Sequence, residues 1–244
     1  MRKISKNNTL SLVEKTWRFD DEVATKFDTH VNQSIPHYSS LQKYIARLSE
    51  WFLKDNCNIY DLGCSTGETI NQLLKLKIST KYKIIGVDNS KKMLDLAKRK
   101  IRRKLRSNKN VKTEFINKDL NKLKFKNSNL ILSILVFPFL NYNQRFQLLK
   151  KIYKSLNSGG ALICVEKIRA SNSTFEDILN QIYFDFKIDQ QLSEKEILNK
   201  AKSLRSSMYL FNEKTTKNLL KKSGFKEFEI FFRCFNFIGF IAIK

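Results

Sequence analysis

The stretch that most constrains the fold runs from Ile59 to Gly67 and reads I-Y-D-L-G-C-S-T-G. Its apolar start is typical of a strand, and apolar residues at three- and four-residue spacing after Gly67 predict a helix. The turn between them contains Gly63 and Gly67, which tolerate positive φ and let a ligand approach the backbone. In open α/β sheets such a turn stands at the carboxyl end of the first strand, where nucleotide-like ligands bind. From this stretch alone, an ordinary strand-to-helix connection is an open alternative.

A regular alternation of strands and helices follows this unit. Further short apolar strands are predicted at 83–87, 111–116, 130–137 and 161–165. Amphipathic helices separate them, and Gly159-Gly160 predicts the end of the helix that precedes the last of these strands. Strands that alternate with helices indicate a mostly parallel sheet.

The order changes after Glu166. Two consecutive helices, at 173–188 and 193–205, form a helical insertion at about 171–205. The aromatic-rich tail from Phe225 to Lys244 reads as a hairpin with a turn near Asn236. The predicted fold class is therefore α/β, a mostly parallel sheet with a C-terminal antiparallel hairpin.

The chain has 244 residues, enough for one large α/β domain with a buried core. Residues 1–18 are polar and irregular and are predicted to be a flexible N-terminus. Residues 19–244 are predicted to form a single domain. The N-terminus has no apolar segment typical of a signal peptide, and the four cysteines form no C-x-x-C pair. A cytoplasmic protein without membrane segments or a metal site is expected.

Three carboxylates stand at equivalent places in the predicted sheet: Asp61, Asp88 and Asp119. Each lies at or just after the end of a strand, so all three should face one cleft. Asp88 follows Gly63 by 25 residues, near the spacing at which a carboxylate accepts hydrogen bonds from ribose hydroxyls. Each alone could be a helix cap or a solvated side chain. Together they predict a nucleoside site.

With these motifs the sequence resembles the class I S-adenosylmethionine (SAM) methyltransferases, and more closely the carboxy-S-adenosyl-L-methionine (carboxy-SAM) synthases. The resemblance extends from Phe19 to Lys244. The segments that carry it are F-D-x-x-V-A (19–24), Q-S-I-P-H-Y (33–38), Y-D-L-G-C-S (60–65), V-D-N-S-x-x-M (87–93), S-G-G-A-L (158–162), E-K (166–167), D-F-K (185–187) and C-F-N-F (234–237).

This resemblance implies a Rossmann-like class I methyltransferase fold and an activity. Carboxy-SAM synthases convert SAM and prephenate into carboxy-SAM and phenylpyruvate, which feeds modification of a tRNA wobble uridine. The resemblance also implies a homodimer that contacts SAM, or carboxy-SAM, through six residues of this chain: Tyr38, Gly63, Asp88, Asn89, Asp119 and Leu120.

The sequence departs from the family pattern at two positions. Ala201 stands where the family has an arginine that reaches the added carboxylate from the neighbouring subunit, and Ile134 replaces an asparagine. A carboxylate in a water-poor site needs a cationic or hydrogen-bonding partner. Arg205, one helical turn after Ala201, is the predicted replacement and the candidate catalytic residue. Lys200 and Lys202 are expected to be less well aimed, and a solvated Arg205 is the alternative.

Three functions therefore compete. The first is carboxy-SAM synthesis, and the second is methyl transfer to an unknown acceptor, which requires only alignment of nucleophile and methyl group. The third is non-catalytic RNA binding, suggested by a net charge of +23. The charges are spread along the chain, so direct RNA binding is not favoured over a compositional origin.

Overall fold

The computed structural model describes residues 21–76, 78–205 and 207–244, and the side chains from Phe27 onward among them. The predicted flexible N-terminus, residues 1–18, lies outside the described residues. In the part of the chain that is described, no helix is long and apolar enough to cross a membrane.

A seven-stranded sheet forms the centre of the molecule, with strand order β3-β2-β1-β4-β5-β7-β6. The first five strands are parallel, and β7 is antiparallel to both of its neighbours. The strands are β1 (Cys57–Leu62), β2 (Tyr82–Asp88), β3 (Val111–Asn117), β4 (Ser128–Ile134), β5 (Leu156–Lys167), β6 (Glu227–Cys234) and β7 (Phe237–Ile243). The predicted mostly parallel sheet with a C-terminal antiparallel hairpin is confirmed.

Helices lie before, between and after the parallel strands. They are α1 (Asp21–Ser34), α2 (Tyr38–Glu50), α3 (Glu68–Leu73), α4 (Lys91–Ser107), α5 (Tyr142–Ser155), α6 (Ser173–Asp189), α7 (Glu194–Leu204) and α8 (Glu213–Ser223). Local sequence fixes several of their ends: Ser90 caps α4, and Asn141 and Ser193 form capping boxes on α5 and α7. Helices α6 and α7 stand between β5 and α8.

Apolar side chains fill both faces of the sheet, because successive residues of a strand point to opposite sides. In β1, Tyr60 and Leu62 join the cluster formed with α5 and α8. Ile59 joins the opposite cluster, formed with α2, α3 and α4. Helices on both faces leave the carboxyl ends of the parallel strands as the open edge.

Two predicted boundaries were wrong. Gly159-Gly160 lies inside β5 rather than at a helix end, since α5 ends at Ser155 and the strand begins at the next residue. Added Cβ atoms at Gly160 would lie 2.9 Å from the Asn129 carbonyl oxygen, so the glycine serves close strand packing. The apolar run after Ile134 leaves the sheet and forms a short 3-10 turn at Phe137–Phe139.

Candidate functional site

A cavity of about 750 Å³ opens at the carboxyl edge of the parallel strands. The loops after β1, β2, β3 and β4 form its floor, and α1, α6 and α7 contribute to its walls and roof. All seven site residues predicted from the sequence line it: Tyr38, Gly63, Asp88, Asn89, Asp119, Leu120 and Arg205. The strand ends therefore bring together residues that are far apart in the chain.

The glycine turn after β1 is shaped for close approach. Gly63 has φ +63°, and a Cβ atom there would lie 2.5 Å from a methyl carbon of Val136. The turn is held by the amide of Cys64, which donates to the Val87 carbonyl at 3.0 Å, and by the amide of Gly67, which donates to the Cys64 carbonyl at 2.8 Å. Only glycine fits at position 63, so the backbone itself forms that part of the wall.

The carboxyl group of Asp61 lies beneath this turn. It is 1% exposed, and among the described residues its Oδ2 atom has no hydrogen-bond partner. Burial, with a smaller contribution from the Asp88 carboxylate, raises the pKa of Asp61 to about 8. A buried polar atom without a partner is rare. Asp61 therefore suits a ligand that brings a positive charge or a donor.

Asp88 ends β2 and faces the same space. Its carboxylate accepts hydrogen bonds from the amide of Ser65 at 3.0 Å and from the amide of Ser90 at 2.8 Å. Burial raises the pKa of Asp88, and these backbone hydrogen bonds oppose the rise. Each oxygen keeps a lone pair for a ligand hydroxyl. Tyr38 and Asn89 line the cavity beside it.

Asp119 and Leu120 lie at the cavity edge beyond β3. The Oδ1 atom of Asp119 accepts a hydrogen bond from the amide of Asn121 at 2.7 Å. Asp119 is thus oriented by the turn that it caps, and its other oxygen is available at an exposed rim.

The two departures from the family pattern both line the cavity. Ile134 ends β4, and Ala201 lies on α7. Arg205 directly follows α7 and is exposed. Arg205 therefore lies at the solvent side of the cavity. The carboxylates predicted to bind the nucleoside line the same cavity and belong to the same chain.

Three lysines of the cavity wall were not predicted from the sequence to be site residues. Lys167 ends β5, Lys187 lies in the last turn of α6, and Lys200 lies on α7. All three line the cavity and are only partly exposed. Lys200, which the sequence predicts to be less well aimed than Arg205, lines the cavity as Arg205 does. Two of the three stand in segments that carry the resemblance, E-K and D-F-K, which was the available signal.

A buried ion pair supports the wall next to these lysines. Arg145 and Glu166, both fully buried, contact each other at 2.7 Å. The Arg145 guanidinium also donates to the carbonyl oxygens of Phe137 at 2.8 Å and Tyr209 at 3.1 Å. The pair thus fastens the segments after β4 and after α7 to the end of β5.

The family model described as the ubiE/COQ5 methyltransferase family matches residues 14–242. The chain belongs to the ubiE/COQ5 methyltransferase family. It is therefore a SAM-binding enzyme of the methyltransferase class. The carboxylates of the cavity fit this cofactor, since SAM carries two cationic groups and two ribose hydroxyls that can donate to them.

Curated relatives within this family share most of their length with the chain. A carboxy-SAM synthase of Staphylococcus epidermidis is 36% identical over 230 residues, 93% of this chain and 97% of the relative. A carboxy-SAM synthase of Nautilia profundicola is 36% identical over 232 residues, 95% of this chain and 96% of the relative. The resemblance stated from the motifs is confirmed.

Solved structures show the same fold at low sequence identity. Phosphoethanolamine N-methyltransferase 2 of Haemonchus contortus, in complex with SAM, has a TM-score of 0.62 at 14% identity, with 94% of this chain and 60% of that chain covered. A SAM-dependent methyltransferase of Methanosarcina mazei has a TM-score of 0.54 at 18% identity, with coverages of 80% and 95%. The predicted Rossmann-like class I methyltransferase fold is confirmed.

Proposed function

We propose that this enzyme is a carboxy-SAM synthase, which converts SAM and prephenate into carboxy-SAM and phenylpyruvate. The observation that carries the proposal is the relationship to proteins of that name along more than nine-tenths of the chain. Carboxy-SAM would serve modification of a tRNA wobble uridine. A reducing cytoplasm suits the four free thiols of the described residues.

Under this proposal, six residues hold SAM. Asp88 would accept from the ribose hydroxyls, with Asn89 beside it, while Asp119 and the backbone of Leu120 would bind the adenine. Gly63 and Tyr38 would shape the wall around the methionine part. Asp61 would add its open carboxylate oxygen to a cationic group of the ligand. The position of all these residues around one cavity supports the assignments.

SAM supplies an activated methyl group when bound. In the overall conversion a carboxyl group replaces one hydrogen of that methyl group. The methyl carbon therefore gives up a proton. Prephenate gives up the carboxyl group and the hydroxide of its ring, and the proton and the hydroxide leave together as water. The chain must exclude competing acceptors and hold two anionic carboxylates near the methyl group, which requires positive charge in the wall.

Arg205 is the proposed replacement for the arginine that Ala201 lacks. It follows α7 and lines the cavity, which supports the proposal, and its exposure limits how strongly it can act. The second candidate function, methyl transfer to another acceptor, is favoured by the same Ala201, because methyl transfer does not need a carboxylate-binding residue.

We also propose a homodimer through α6. Phe175, Ile178 and Ile182 form one exposed apolar stripe on this helix, at 54%, 48% and 41% exposure. Exposed apolar stripes of this kind mark interaction surfaces. Light scattering should show a dimer for the wild type, a monomer for Ile178→Lys, and a dimer for the control Asp177→Lys. A monomeric wild type contradicts the proposal.

The decisive experiment has two parts. Mass spectrometry of the nucleoside that co-purifies with the protein should find carboxy-SAM, and purified protein given SAM and prephenate should form it. Formation of carboxy-SAM by wild type but equally by Arg205→Ala would remove Arg205 from the proposal. If the wild type forms none, yet transfers methyl groups, the second candidate function replaces the first.

A further inference from the structure

Lys167, Lys187 and Lys200, called here the lysine cluster, converge on one wall of the cavity from three different elements. The ammonium nitrogens of Lys167 and Lys187 lie 4.5 Å and 3.8 Å from the centre of the Tyr183 ring. Tyr183 is itself fixed, since its hydroxyl donates to the Ser34 carbonyl at 2.8 Å and its ring packs on Phe237. Both ammonium groups are therefore held against the same fixed ring.

The charges of Lys167 and Lys187 are poorly balanced by protein carboxylates. Among the described residues, no carboxylate oxygen lies within ion-pair distance of Lys167 or Lys187. Glu176 acts on Lys167 only at longer range. Lys200 contacts His30, and Glu196 lies next to them in the same wall.

Burial and neighbouring lysines lower the pKa values in this cluster. Burial lowers the pKa of Lys187 to about 8, with a further lowering by Lys167, and lowers the pKa of Lys200 to about 7, with a further lowering by Lys187. Burial also lowers the pKa of Lys167. A bound anion would restore the charge balance that burial and mutual repulsion remove.

The cluster lies at the opposite end of the cavity from the nucleoside-type residues. The strand order β3-β2-β1-β4-β5 places Lys167, at the end of β5, two strands beyond the glycine turn of β1. Adjacent strands are about 4.8 Å apart, so this separation is about 10 Å along the sheet edge. Asp88 and Asp119 lie on the other side of the turn. A co-substrate next to the lysines would therefore reach the methionine end of SAM, not its adenine.

From this geometry we infer that the lysine cluster is the binding site for a small dicarboxylate co-substrate, which it holds beside the methyl group of SAM. The inference rests on the proposed function for the identity of that co-substrate, prephenate. Two carboxylates need at least two donors, and the pair of ammonium groups held by Tyr183 supplies them, with Lys200 as the third. The lysines then share with Arg205 the binding of carboxylates that Ala201 cannot provide.

The test measures binding separately from turnover. Prephenate is titrated by calorimetry into the protein saturated with S-adenosylhomocysteine, which has no methyl group to transfer. Lys187→Met keeps the apolar stem against Tyr183 and removes the charge. We expect it to weaken prephenate binding tenfold or more, a loss typical of a hydrogen bond to a charged group, with SAM affinity changed less than twofold. Lys200→Met should act likewise.

Two controls accompany these variants. Lys187→Arg keeps the positive charge and should retain most of the affinity. Lys202→Met, on the same helix as Lys200 but outside the cavity wall, should bind prephenate like the wild type. A thermal melt of each variant excludes misfolding as the cause of a loss.

The outcomes separate the two proposals. If prephenate binds the wild type through these lysines but no carboxy-SAM forms, the inference holds and the proposed function fails. If carboxy-SAM forms and Lys187→Met and Lys200→Met bind prephenate as tightly as the wild type, the inference is overturned while the function stands. Absence of prephenate binding to the wild type overturns the inference as well.

Discussion

Asp61 couples protonation to folding. Its pKa rises from 3.8 to about 8 in the folded chain through burial and the nearby Asp88, and it also faces the thiol of Cys64 and the phenol of Tyr38. Between these two values the folded chain keeps a proton that the unfolded chain has released. The contribution of Asp61 to the free energy of unfolding is therefore fully present below about pH 4, decreases as the pH rises and is constant above about pH 8.

The substitution Asp61→Asn should remove this decline. The free energy of unfolding of the ligand-free wild type should fall relative to the variant by at most about 1.4 kcal/mol per pH unit across this window. Urea unfolding at several pH values from about 5 to about 8 measures the difference. Parallel curves for the two proteins would show that Asp61 is ionised in the folded state.

Asp88 is expected to dominate the affinity for SAM. Asp88→Asn keeps one carbonyl oxygen, which can accept from one of the two backbone amides that Asp88 now binds, and it loses the second oxygen and the charge. Charge-assisted hydrogen bonds contribute roughly 1.5–3 kcal/mol, so the affinity should fall about tenfold to a hundredfold. Calorimetry measures it, with Asp95→Asn on α4 as the control outside the cavity. An unchanged affinity would remove the ribose role of Asp88.

At the scale of residues, the carboxylates of the site were easier to predict from the sequence than the lysines. A carboxylate at a strand end is visible from the hydrophobic pattern, because the strand itself positions it at the sheet edge. Lys167, Lys187 and Lys200 come from a strand end and two separate helices, in a chain with 46 lysines and arginines. Their meeting depends on how α6 and α7 pack over the sheet, which no local pattern encodes.

At the scale of elements, the buried pair Arg145–Glu166 joins α5 to β5. Arg145→Met should destabilise the protein by about 3–5 kcal/mol, because it leaves the Glu166 carboxylate buried without its partner. The double variant Arg145→Met with Glu166→Gln should recover part of that loss. Urea unfolding measures both. The exposed pair Arg233–Glu213 offers a matched control, and Arg233→Met should change stability by less than about 1 kcal/mol.

Helices and strands could be predicted from the sequence where capping residues and hydrophobic periodicity agree. The prediction failed at Gly159-Gly160, because glycine occurs both at helix ends and inside closely packed strands. Ser90 precedes the apolar spacing of α4 and caps it as expected. Gly159-Gly160 has the chemistry of a helix end but lies in β5, where the neighbouring strand approaches Gly160 too closely for a side chain. Only the tertiary packing distinguishes the two uses.

At the scale of the molecule, the net charge of +23 predicts that any RNA binding is non-specific and sensitive to salt. The exposed side of α4 carries a run of basic side chains: Lys98, Arg99, Arg102, Arg103 and Arg106. If six or more phosphates are contacted, the affinity for tRNA should fall about a thousandfold or more between about 50 mM and about 200 mM salt. Filter binding measures it. Salt-resistant binding to one tRNA would instead favour the RNA-binding function.

The segment between β5 and α8 leaves the sheet and returns to nearly the same point. The amide of Arg169 donates to the Phe211 carbonyl at 2.9 Å, and Arg169 pairs with Asn212 in an isolated bridge. The segment between these two points, which includes α6 and α7, therefore leaves the sheet and has its two ends hydrogen-bonded to each other. Such a segment can be replaced as one unit without a change in the register of any strand. The same sheet and the same nucleoside site could then accept a different co-substrate.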